Sequence, residues 1–223
     1  MLLAIDTSQA RPCAAIGAGG RLVACAEAPA WSVDVVGLVR TALRRAGVDS
    51  GALPASLAAV AVATGPGRFA SLRSGIAVAK ALALARGWPL VGVPTVPLLR
   101  HAACVPGAAV AIPAGRGRYY VAMSPDADPA AGSVDLAELA GRCRPGEAVV
   151  GQFDVATERA LFEAGLLPVT VTSTGALAAV AWAAWQRLAG APSFATPGAS
   201  PRYATPAVTP STPRSAPESP GHA

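Results

Sequence analysis

The chain has 223 residues, 52% of them hydrophobic, which permits one large or two small domains around a sizeable core and excludes a disordered polyelectrolyte. Its eighteen basic residues, all arginine except Lys80, outnumber thirteen acids for a net charge of +5. They fall in short scattered groups, Arg40/Arg44/Arg45, Arg68/Arg73, Arg116/Arg118 and Arg142/Arg144, which read as solvated faces rather than as one nucleic-acid stripe.

Leu2–Asp6 reads as a first strand, followed by strands at Cys13–Ile16 and Leu22–Ala26 joined through Gly17-Ala18-Gly19-Gly20, an antiparallel opening. Ser32 is placed as the cap of a helix with Val35, Val36, Val39, Leu43 and Ala46 on its core face, Arg40 and Arg44 opposite, and Gly47 as its stop. Leu57–Ala63 has the continuous apolar character of a strand covered on both faces. It runs into Gly65-Pro66-Gly67, where the glycines admit backbone angles that other residues resist and Pro66 biases Gly65 towards an extended shape. Ser71 is then read as the cap of a helix reaching Ala85, whose small residues Gly75, Ala77, Ala79, Ala81, Ala83 and Ala85 let another backbone approach closely. Pro89–Val93 adds a strand. Three strands, helix, strand, helix, strand is the order of one half of an actin-like, ribonuclease H-like (ASKHA) domain.

Ala108–Ile112 and Arg118–Met123 read as a second hairpin through Gly115-Arg116-Gly117. Val134–Arg142 and Thr157–Ala164 read as helices, Ala148–Val150 and Val169–Val171 as strands, and Thr174–Ala189 as a long helix capped by Ser173 or Thr174. The expected architecture is therefore α/β, with a first actin-like half at 1–100, a second, reduced half at 101–191 and a tail at 192–223. Eight prolines among the tail's 32 residues predict that it is largely disordered. No apolar run reaches the ~18 residues of a membrane span, since Ala176–Trp185 is stopped by Gln186 and Arg187. Met1-Leu2-Leu3-Ala4-Ile5 meets Asp6 without a basic leader, so no signal peptide is read and a cytoplasmic chain is expected.

Asp6-Thr7-Ser8, at the end of the first strand, is the best-placed set for phosphate or metal chemistry; the competing reading is that Asp6 and Ser8 satisfy turn backbone groups. Asp34, Asp49, Asp126, Asp128 and Asp135 mark no partner carboxylate, and His101 reads as a helix-surface or core histidine rather than a base. Tyr119 and Tyr120, beside Arg116 and Arg118, read as strand residues before they read as base-stacking ones. Cys13, Cys25, Cys104 and Cys143 lack Cys-x-x-Cys spacing, are read as buried free thiols, and could be joined as ligands only by His101 and His222. The phosphate loop ending Gly-Lys-Ser/Thr, His-x-x-x-His, His-Glu-x-x-His and Gly-x-Ser-x-Gly are all absent. No catalytic set and no metal site are predicted.

The residues resemble the bacterial TsaB family, also called YeaZ, from Met1 to about Tyr203. The resemblance rests on Leu3–Ser8, on Gly65-Pro66-Gly67-Arg68-Phe69-Ala70-Ser71-Leu72-Arg73-Ser74-Gly75 where the family usually reads GPGSFTGLRIG, on Val91–Thr95, on Ile112–Tyr119 and on Pro201-Arg202-Tyr203. It implies two actin-like halves and a non-catalytic subunit of the complex that makes threonylcarbamoyladenosine on tRNA. In that role the chain binds and activates a TsaD-type transferase, joined by a TsaE-type ATPase, and meets tRNA only through the complex. The resemblance also implies that the first half carries the partner surface, for TsaD or for a second copy of this chain, here Gly65, Pro66, Gly67, Phe69, Leu72, Arg73, Ile76, Ala79, Lys80 and Ala83. No cofactor is required; a weak, vestigial ATP or ADP site at Asp6, Thr7 and Ser8, or a nucleotide at the complex interface, is the remaining option. The alternative is an actin-like small-molecule kinase or ATPase using Asp6 and the 65–67 turn. Departures from the family pattern fall at Arg68, Ala70, Ser71 and Ser74, at Trp31-Ser32-Val33-Asp34, and at Pro113-Ala114-Gly115, where the family commonly has Asp-Ala-Arg.

Overall fold

The computed structural model describes residues 1–30, 34–48, 56–123 and 132–189. The expectations for Ser32, Asp49, Asp126, Asp128, Pro201-Arg202-Tyr203, His222 and the tail at 192–223 lie outside the described residues.

Strands β1 (Leu2–Asp6), β2 (Cys13–Ala18) and β3 (Arg21–Glu27) form an antiparallel meander, turned between β2 and β3 by Gly19 and Gly20 at φ +58° and +80°. Strands β4 (Ala59–Gly65) and β5 (Leu90–Pro94) extend it in parallel on the other side of β1, giving a five-stranded sheet of order β3-β2-β1-β4-β5. Alternation decides what each face receives. Leu3, Ile5, Val60 and Val62 pack beneath α1 (Val35–Arg45) and α2 (Phe69–Arg86), while Leu2, Ala4, Ala59 and Ala61 pack against Leu177, Ala178 and Ala181 of α6 (Thr174–Ala189). The helix at the end of the described chain thus closes the core of the first sheet. Alanines on that face leave room for it, and Gly17 and Gly20 lie against Ala178 and Trp182.

The second sheet has four strands, β6 (Ala109–Gly115), β7 (Arg118–Ala122), β8 (Ala148–Gly151) and β9 (Leu167–Thr170), in the order β7-β6-β8-β9. Among the described residues its plan repeats that of the first, a hairpin extended by two parallel strands, and Val134 pairs antiparallel with Tyr119 beside β7. Helices α4 (Leu136–Arg142) and α5 (Val155–Glu163) cover one face through Leu139 and Leu161. Helix α3 (Thr95–Ala103) covers the other and bridges the sheets, giving Leu98 to the first core and Val96 and Leu99 to the second. Arg100 is buried at this bridge, where its Nε donates to Ala108 O at 3.1 Å and its Nη2 to Ala122 O at 3.2 Å.

Three local expectations need correction. Asp34, whose Oδ1 accepts from Gly37 N at 2.8 Å, caps α1. Val36 was placed on the core face of that helix but is 56% exposed, because Val35, Leu38, Val39, Ala42 and Leu43 already fill the buried stripe. Helix α2 begins at Phe69 rather than at a Ser71 cap: the Arg68 carbonyl accepts from Leu72 N at 2.9 Å, which leaves Ser71 inside the first turn, buried. The four cysteines are free, as expected, yet only Cys13 is buried; Cys25 and Cys143 are half-buried and Cys104 is exposed.

Candidate functional site

The carboxyl ends of β1 and β4 meet at the turn singled out in the sequence. Asp6, Thr7, Ser8 and Gln9 are all fully buried there. Asp6 Oδ1 accepts from Ser8 N at 2.8 Å and from Ser8 Oγ at 2.6 Å, so the turn's own groups take up one carboxylate oxygen; Asp6 Oδ2 has no hydrogen-bond partner. The glycine turn and the start of α2 press onto this segment. A Cβ on Gly67 would come within 2.7 Å of the Ser8 carbonyl oxygen, and a Cβ on Gly75 would collide with Thr7 Oγ1. Gly65 takes φ +99° rather than the extended shape expected next to Pro66, so glycine is needed there for its backbone angle and at 67 and 75 for space. The chain's own backbone closes over this segment, and Asp6 and Ser8 satisfy each other within the turn.

Burial raises the Asp6 carboxyl above its ordinary 3.8, and the Ser8 hydrogen bonds only partly offset this. Burial and then the Asp6 charge push the neighbouring Cys13 thiol well up, so it stays protonated; its Sγ lies 3.2 Å from Ser173 Oγ at the head of α6. The folded chain holds the Asp6 proton more tightly than the unfolded chain, so this group's contribution to stability is full below 3.8 and is lost as pH rises through the raised value. Asp6→Asn keeps the acceptor for Ser8 and removes the buried charge. Its thermal midpoint is expected to exceed that of the wild type at about pH 7, with the gap closing towards about pH 3. Denaturation scans across that range check this, and a gap that does not change with pH would show that Asp6 is not the titrating group.

A second feature was not legible in the sequence. The carboxyl ends of the two sheets face one another across an open cleft of about 900 Å³, lined by Arg11 after β1, Arg68 after β4, the β6–β7 hairpin with Arg116 and Arg118, and Asp154 and Glu158 of the α5 region. Arg11 N donates to Gln152 Oε1 at 2.5 Å, which joins the β1–β2 loop to the end of β8 at the cleft. Two departures noted in the sequence meet here, for a Cβ on Gly115 would lie 3.4 Å from Arg68 Nε. Arg118 Nε donates to Ser133 Oγ at 3.0 Å, and its Nη2 lies 3.5 Å from Glu138. Tyr119 is a strand residue, as expected; its ring packs edge-on against Phe153 and its hydroxyl lies 3.3 Å from Thr157 Oγ1.

A family model described as TsaD, tRNA N6-adenosine threonylcarbamoyltransferase, matches residues 27–160, more than half of the chain. The chain belongs to the TsaD family. Two proteins of that description from Anaeromyxobacter dehalogenans, strains 2CP-C and 2CP-1, are each 52% identical over 61 residues, a match that spans 27% of this chain and 17% of the relative's length. YeaZ from Pseudomonas aeruginosa superposes with a TM-score of 0.59 at 24% identity, covering 91% of this chain and 98% of that one. A second solved structure, titled an uncharacterized protein with similarity to peptidase YEAZ from Pseudomonas aeruginosa, has the same score and identity over 83% of this chain and 92% of its own. This TsaD-family member therefore has the YeaZ (TsaB) fold, the one to which Leu3–Ser8 and Gly65–Gly75 pointed. No helix among its described residues is long and apolar enough to cross a membrane.

The structure divides the ten residues placed on the partner surface. Gly65, Pro66 and Gly67 are buried, Gly67 against Ser8 just past β1, and Leu72, Ile76, Ala79 and Ala83 face the chain's own first core. Only Phe69, Arg73 and Lys80 of the ten lie on the outside of α2, with the Arg73 guanidinium 4.1 Å above the Phe69 ring. The small residues on the inner face of α2 let it lie close to its own sheet, the nearer of the two partners that such a helix permits. Exposed apolar residues that sequence reasoning missed include Leu84, 87% exposed, and Val36, as well as Val155 and Phe162 on α5.

Proposed function

We propose that this chain is a non-catalytic subunit of the tRNA threonylcarbamoyladenosine complex, which binds a TsaD-type transferase and holds it active. The observation that carries this reading is the large apolar side chains exposed on α1 and α2 among Arg40, Arg44, Arg73 and Lys80. Val36, Phe69 and Leu84 are all exposed there, beside the small Ala77 and Ala81. Large apolar side chains facing water along two neighbouring helices mark a surface that another helix covers. The buried Asp6 turn supports the same reading, since it leaves the chain's best acidic candidate to structure.

In this reading a TsaE-type ATPase joins the pair, and a second copy of the chain takes the same helical face when no TsaD-type subunit is present. Co-expression of the tagged chain with a TsaD-type subunit is expected to recover both proteins. Adding that subunit to the isolated chain should replace the homodimer with the mixed complex in sedimentation. Recovery of the tagged chain alone, with its own association state unchanged, would reject the reading.

A further inference from the structure

We propose that the cleft between the two sheets holds a phosphodiester strand of RNA, gripped by Arg11, Arg68 and Arg116. These arginines come from three separate turns and meet only through the fold. Arg118 is paired with Glu138, and the other three guanidinium groups share the cleft with two carboxylates, an excess of one positive charge. Both carboxylates already have partners: Asp154 Oδ1 accepts from Thr157 N at 2.8 Å, and Glu158 accepts from the Thr170 hydroxyl. Arg118 is held against Ser133 and Glu138 and acts as a fixed charge in the wall. Arg68 lies along Gly115, where a Cβ would touch its Nε at 3.4 Å. Arg116 stands at the hairpin tip with φ +53° between Gly115 and Gly117, and Arg11 is exposed at the opposite rim.

Like charges gathered around a concave space raise the local potential and favour an anion. The guanidinium fork matches phosphate oxygens in pairs. An open trough with arginines spread along both rims fits an extended run of phosphates better than a compact ligand, which would need an enclosed pocket. The inference rests on the proposed pathway only for the choice of RNA.

The test titrates the full chain into a fluorescein-labelled, unmodified tRNA transcript over a salt series. The variant carrying Arg11→Gln and Arg116→Gln is expected to bind about tenfold or more weakly, and its slope of log affinity against log salt should flatten by about 1.4 to 1.8, two phosphate contacts' worth. Arg68→Gln should weaken binding in the same sense, whereas Arg142→Gln, an exposed arginine outside the cleft, should change neither quantity. Thermal midpoints equal to wild type confirm that the variants are folded. Unchanged affinity and slope in the double variant would overturn the inference, as would an equal loss in Arg142→Gln. Displacement of the tRNA by low concentrations of inorganic pyrophosphate would also overturn it, by identifying a small-phosphate site. Loss of RNA binding by the wild type with the TsaD-type complex intact would remove this inference alone; RNA binding without that complex would remove only the reading above.

Discussion

Ala79→Glu is expected to lower the urea midpoint far below that of the wild type. Ala79 has 0% of its surface exposed and packs between α2 and the first sheet, in the cluster that holds Leu3, Ile5, Val60, Val62, Leu72 and Ile76. A glutamate there must either bury an unpaired carboxylate or push the helix off its sheet, at a cost of about 4 kcal/mol or more against a total stability of about 5 to 15 kcal/mol. Leu84→Glu, five positions along the same helix, puts its charge in water and should shift stability by less than about 0.5 kcal/mol. Urea unfolding of the two variants checks this directly. A wild-type transition for Ala79→Glu would mean that this face of α2 points outwards.

The contrast between those positions shows how far the sequence could be read. Strands β1, β4 and β6 and the helix at Thr174–Ala189 were legible because continuous apolar runs and glycine turns mark them whatever surrounds them. The faces of α2 were not legible. With Ala or Gly at 75, 77, 79, 81, 83 and 85 the helix has no strong apolar stripe, so composition allowed contact with either its own sheet or another subunit. What settles the orientation is tertiary: Gly75 sits over Thr7, which turns Leu72, Ile76 and Ala79 inwards and Leu84 outwards. The cleft was invisible for a related reason. Arg11, Arg68 and Arg116 share no period and no segment, and only the crossing of two sheets at their carboxyl ends brings them together. Asp6 was recognised as unusual, but its role depends on what covers it, and Gly67 brings the covering backbone within contact of Ser8.

Leu84→Glu is also expected to have the largest effect on function. An apolar side chain that is 87% exposed in the free chain gains most from being covered by a partner, and a carboxylate in its place would lose that apolar contact and be desolvated on association. A loss of about 2 kcal/mol or more in association, roughly 30-fold, follows, while the free chain stays folded. Threonylcarbamoyl transfer to tRNA, reconstituted with a TsaD-type subunit, a TsaE-type ATPase and this chain, tests the central claim most directly. The account predicts no modified tRNA from this chain alone, formation when the wild-type chain joins the TsaD-type and TsaE-type subunits, and loss of that stimulation with Leu84→Glu. Modified tRNA from this chain without a TsaD-type subunit, or full stimulation by Leu84→Glu, would contradict it.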